Sequence, residues 1–188
     1  MRWLILHSRS RQVPTSAAVV VLVALTLWAL NGPGPVELGM AVLVLTANVA
    51  AGSVGLGGWD VALERTAAIR WAPRRAAHVL LIGAFAGAAL LTVQAAGVEL
   101  AATEVVVRDS AGLAGLAALG AVLCGAQLAW TLPTGWLAVT LLVPTPSGVL
   151  GEVVGWMAFP PGTTAAAVTA WALLATGTVA YAVAGPRR

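Results

Sequence analysis

The 188-residue chain is 60% hydrophobic and only 9% charged, with a mean hydropathy of +0.92. A soluble globular domain carries roughly 25% charged residues, so a chain this poor in charge has too little polar surface to face water all round. The formal net charge is +3, but all ten basic residues are Arg in short clusters beside apolar runs, with no interleaved aromatics, which argues against a nucleic-acid partner.

Length allows one domain, and the apolar runs divide it into six stretches over residues 1–188. A bilayer core about 30 Å thick needs roughly 20 residues of apolar helix to cross it. The first stretch runs from Pro14 to Leu30 and stops at the breaker cluster Asn31-Gly32-Pro33-Gly34-Pro35. Arg2, Arg9 and Arg11 precede it, so a signal peptide is the competing reading, against which stand its length and the lack of a small-x-small cleavage site. The second runs from 36 to 54, the third from 76 to 96, and the fourth from 110 to 130. The fifth covers 135–150 if it continues through Pro144 and Pro146, and the sixth covers 163–184, before Gly185-Pro186. The expected fold is therefore all-α, a polytopic six-helix membrane bundle. The heavy use of Ala, Val and Gly without any Lys suggests a GC-rich coding sequence of actinobacterial type. The single cysteine, Cys124, cannot form an internal disulfide.

Arginines set the expected orientation. With a cytoplasmic N-terminus, Arg2, Arg9, Arg11, Arg65, Arg70, Arg74, Arg75, Arg187 and Arg188 all fall inside, and Arg108 alone falls outside. That bias follows the positive-inside rule and supports an even number of spans, with both termini expected in the cytoplasm and the chain expected in the cell (plasma) membrane. Trp3, Trp28, Trp59, Trp130 and Trp156 fall at or near the expected span ends, as an aromatic belt would.

No expected span has a charge at its centre, which disfavours proton relays and voltage sensing. The polar groups at depth are Asn48, Gln94 and Gln127. They read either as interhelical hydrogen bonds or as the lining of a substrate path. Gly83-x-x-x-Gly87, and Gly112 with Gly120, place small residues at helical spacing, where they permit close helix contact.

Two segments depart from simple spans and short loops. From Gly57 to Arg75 the chain has an N-cap candidate, Asp60, then a Gly- and Pro-free run, then a stop at Pro73. Trp59, Leu63, Ala67 and Trp71 line up on one helical face, with Glu64, Arg65 and Arg70 off it. This amphipathic helix either anchors the bundle to anionic lipid or docks a cytoplasmic partner. The outer connection, Pro144 to Gly162, is rich in Pro and Gly yet apolar from Val149 to Phe159. It reads as a re-entrant pair of half-helices or as a surface loop against the bundle.

Six spans, cytoplasmic ends, an amphipathic helix between spans two and three, and a broken apolar stretch between spans five and six resemble the permease subunits of type-2 ATP-binding-cassette exporters. The nearest local match is Leu63-Glu64-Arg65-Thr66 followed by Pro73-Arg74-Arg75, similar to the stretch before span three in many such permeases. The resemblance implies that helix 59–71 is the coupling helix, with Asp60, Leu63, Glu64, Arg65 and Arg70 touching a cytoplasmic ATPase subunit. It implies a second copy or a homologous permease completing a twelve-span pathway, and short re-entrant helices in the outer segment. The chain departs from the family in being short, with a fifth span interrupted by Pro144.

Catalysis in this chain is not expected. There is no Gly-x-x-x-x-Gly-Lys-Ser/Thr loop and no Lys, so ATP chemistry, and any cofactor, would belong to a partner. His7 and His78 lack metal-ligand spacing. Ser147-Gly148 has no outer His to act as its base. Three functional classes are consistent with this: an exporter permease, a substrate-binding membrane subunit of a vitamin or metal uptake system, and a non-transporting accessory subunit of a membrane complex.

Overall fold

The computed structural model describes residues 34–35, 38–57 and 71–187. Its helices are α1 (Leu38–Ser53, continued by a 3-10 turn at Val54–Leu56), α2 (Trp71–Ala95), α3 (Thr103–Leu123), α4 (Thr131–Leu142), α5 (Val149–Val154) and α6 (Thr164–Ala184). Among the described residues the strands are two residues each: β1 (Gly34–Pro35) pairs in parallel with β2 (Val98–Glu99). Four segments are long and apolar enough to cross a membrane: Leu38–Leu56, Trp71–Ala95, Thr103–Leu123 and Thr164–Ala184. The chain is thus an all-α, polytopic membrane protein. A count of six spans is not reached among the described residues: the stretch 14–30 lies outside them, and the stretch 135–150 does not form a spanning helix.

Two ends of the bundle are defined by cross-links between distant residues. At one end lies the β1–β2 ladder, with the Gln94 amide donating to the Ala101 carbonyl at 2.6 Å. At the other, Tyr181 donates to the Leu56 carbonyl at 2.6 Å, and Arg187 donates from its backbone to Ala121 and from its side chain to Leu123. Arg75 also belongs here: its guanidinium lies 2.8 Å from where a Cβ on Gly185 would stand. Arg75 and Arg187 therefore sit at the C-termini of α6 and α3, where unpaired carbonyls and the helix dipole favour a cation. We call these the ladder end and the arginine end. α1, α3 and α6 run from the first to the second, and α2 runs back.

α3 is the hub. It packs on α1, α2, α4 and α6, and most of its side chains are buried, whereas few of those of α6 are. Its small side chains explain why. A Cβ on Gly115 would overlap the Leu173 carbonyl, and one on Gly177 would overlap the Gly115 carbonyl, so α3 and α6 touch backbone to backbone. Across α2, Gly83 sits 3.1 Å from Ala114 and Gly87 sits 3.0 Å from the Ser110 hydroxyl, measured from added Cβ positions. The Gly83-x-x-x-Gly87 spacing is thus an α2–α3 contact. Between helices that share one apolar solvent, such close packing replaces the hydrophobic drive that assembles soluble cores. The outward faces meet the apolar phase, with Leu81 65% and Val183 77% exposed. Thr46, Thr140, Thr169 and Thr176 return their hydroxyls to carbonyls four residues back, which satisfies them without water.

Three element boundaries differ from the sequence reading. α2 takes in residues from Trp71 rather than from Ala76, so Pro73 lies within it instead of stopping the expected 59–71 helix, and Trp71 belongs to α2. α3 occupies 103–123 rather than 110–130 and therefore takes in Arg108 and Asp109; Trp130 becomes the residue preceding α4. The stretch 135–150 is not one helix. α4 stops at Leu142 because Val143 precedes Pro144 and is extended (φ −99°, ψ 126°), and the residue before a proline avoids helical angles. Its 12 residues reach about 18 Å, short of the roughly 30 Å hydrocarbon core.

Candidate functional site

The site is built where the broken segment between α4 and α6 meets α3. After α4, the run 143–148 is exposed, and Gly148, at φ +79°, turns the chain into α5. Gly151 then packs on the Pro146 carbonyl with no room for a side chain. The 3-10 turn Trp156–Ala158 carries Trp156 and Met157, both fully buried. The Trp156 ring lies over Gly112: a Cβ there would stand 2.8 Å from Cζ3 and overlap Cη2. Gly112 is nine residues into α3, about 13 Å from its start. The segment therefore enters the bundle instead of lying across its end, the arrangement that irregular backbone at membrane depth requires. Trp136 of α4 holds it from the other side, its Nε1 donating to the Val154 carbonyl at 2.9 Å.

Arg108 closes the arrangement. Its Nε donates to Asp109 Oδ1 at 2.8 Å, its Nη2 to the Phe159 carbonyl at 2.9 Å and its Nη1 to the Pro160 carbonyl at 3.3 Å. Arg108 is 6% exposed and Asp109 not at all. Neighbours at i and i+1 on a helix do not normally face each other, and the length of the arginine arm makes this pair. The pair neutralises a charge that would be costly inside a membrane, and two further N–H groups of the guanidinium bind the entering segment. Asp109 Oδ2 and Trp156 Nε1 are buried without a hydrogen-bond partner among the described residues.

These residues bear on two expectations. The centre of α3, near Leu113, holds no charge, but Asp109 lies about 9 Å from the helix start, inside the helix rather than in an outer loop. Trp156 is a core residue, not part of an aromatic belt. The signals in the sequence were Glu104, an acid suited to a first helical turn, and the run Val105-Val106-Val107 ahead of the charges.

The residues chosen from sequence as a substrate path do not come together. Gln94 ties the end of α2 to Ala101 at the ladder end. Gln127 is exposed in the 3-10 turn Ala126–Leu128, beside the arginine end. Asn48 is buried in α1, with neither amide atom hydrogen-bonded among the described residues. The expected docking residues Asp60, Leu63, Glu64, Arg65 and Arg70 lie outside the described residues.

Beside the tether, a cavity of about 360 Å³ opens between the ladder-end turns of α3 and α6. Thr103, Glu104, Val107 and Arg108 line one wall, and Thr163, Ala167 and Trp171 line the other. Among the described residues no group of three or more His, Cys, Asp or Glu side chains could hold a metal ion. Comparison with family models, curated proteins and solved structures finds no match to this chain.

Proposed function

We propose that this chain is the membrane-spanning permease subunit of an exporter driven by a separate ATPase. The observation that carries the reading is the segment between the last two helices, which enters the bundle, buries Trp156 and Met157 and is held by Arg108. This fits the re-entrant outer helices implied by the resemblance to type-2 ATP-binding-cassette permeases. In this reading the ladder end faces outward and the arginine end faces the cytoplasm. A second permease copy or homologue completes the pathway, and the 59–71 helix conveys the partner's ATP-driven motion through Asp60, Leu63, Glu64, Arg65 and Arg70. The α3 hub is the element through which that motion reaches the outer segment, because it touches α1, α2, α4, α6 and Trp156.

The test is affinity purification of the full chain from its native membranes in mild detergent. A nucleotide-binding subunit is expected to accompany it. Glu64→Arg or Arg65→Glu is expected to leave insertion intact but separate ATP hydrolysis from transport. Copurification with other membrane subunits and no ATPase would replace the reading with that of an accessory protein.

A further inference from the structure

The cavity between α3 and α6 has a polar top and an apolar floor. Glu104 is exposed in the first turn of α3, with Thr103 and Thr163 beside it. Below them stand Val107, Ala167 and Trp171, the last 50% exposed and seven residues into α6, about 10 Å from its start. α3 and α6 are 21 residues each, about 31 Å long, which matches the hydrocarbon core. The polar top therefore lies at headgroup level and the floor at the level of the first acyl carbons.

Both signs of charge line this cavity. Glu104 makes no ion pair among the described residues. Arg108 lines the cavity wall while only 6% exposed, with three of its five N–H groups spent on Asp109, Phe159 and Pro160. The Thr163 hydroxyl donates to Pro160, so it can only accept from a ligand. One carboxylate and one part-occupied guanidinium above an apolar floor match a head carrying both an ammonium and a phosphate, joined to a hydrocarbon tail. We propose that the cavity binds an amine-bearing zwitterionic phospholipid, with its ammonium on Glu104, its phosphate toward Arg108 and its proximal chain along Trp171. The proposal does not depend on an ATPase partner and holds for an exporter or for an uptake subunit.

The probes are dihexanoylphosphatidylethanolamine, dihexanoylphosphatidylglycerol and free phosphoethanolamine, titrated calorimetrically into the purified full chain in neutral maltoside detergent. The amine lipid is expected to bind once per chain, at least tenfold tighter than the glycerol lipid. Glu104→Gln is expected to reduce that preference to below about threefold, because it removes the acceptor for the ammonium while the tail contacts remain. Trp171→Ala is expected to weaken both lipids alike and leave their ratio unchanged. Both positions are exposed, so unfolding midpoints should stay with the parent. Equal binding of the two lipids by the parent, or an unchanged ratio in Glu104→Gln, overturns the headgroup assignment. Free phosphoethanolamine binding as tightly as the lipid overturns the role of the apolar floor.

Discussion

Replacing Arg108 with Gln removes both bonds to the Phe159 and Pro160 carbonyls and strips Asp109 of its buried partner. Breaking a buried ion pair by deleting one member costs about 3–5 kcal/mol. Much of that cost is local, because the segment 149–160 leans on Arg108 while α3 keeps its glycine contacts with α6. Opening of the segment should therefore become easier by about 3 kcal/mol, a rise of more than a hundredfold in its open population. The assay places a reporter at Met157, which is fully buried, as Met157→Cys in a Cys124→Ser background, and follows its labelling by a maleimide in mild detergent. When reclosing outpaces the chemistry, the labelling rate reads the open population. A second reporter, Ala117→Cys in the fully buried middle of α3, reads opening of the whole bundle. The expected result is a rise of about two orders of magnitude at residue 157 and a far smaller one at 117. A rise below tenfold at 157, or equal rises at both positions, would refute the tether.

Four further outcomes follow from the same contacts. The double variant Arg108→Met, Asp109→Leu should cost about 2 kcal/mol less than the sum of its single changes, because it leaves no buried charge unpaired; detergent-titrated unfolding of the four proteins measures this. Gly112→Ala should lose about 1–3 kcal/mol by displacing the Trp156 ring, and Trp156→Phe in the same chain should recover part of the loss, since it removes the ring atoms that overlap. Gly177→Ala should be similarly costly where α6 meets the Gly115 backbone, whereas Gly135→Ala, with open space around it in α4, should be neutral or slightly stabilising, as thermal unfolding can compare. For orientation, an impermeant maleimide applied to intact cells should label Thr164→Cys at the ladder end in a Cys124→Ser background, and should reach native Cys124 only after permeabilisation; the reverse pattern would invert the proposed topology.

What the sequence made legible depended on whether the deciding interaction was local. α6 begins and ends within about one residue of its expected bounds, and α1 ends within one, because each is an apolar run stopped by Gly or Pro, and both signals act within a few residues. The break at Val143-Pro144 is also local, and the expected continuation to 150 fails because two prolines outweigh an apolar composition. Gly83 and Gly87 could be read as a small-residue stripe, but their partners Ser110 and Ala114 could not, since those depend on which helices become neighbours.

Arg108 and Asp109 show how far one such boundary reaches. Counted singly, two charges in a row end an apolar run, so the expected helix began at Ser110. In the fold each neutralises the other, and the arginine finds two carbonyls 51 and 52 residues away, which no window along the sequence could anticipate. Moving the start of α3 by seven residues converts an outer loop into a buried polar tether. The centre of α3 stays free of charge, but ionisable groups do stand inside the helix, with the guanidinium bound by its neighbour and by the backbone of the entering segment. They act first as a clasp, and any outward pathway that moves this segment must release Arg108 from Phe159 and Pro160.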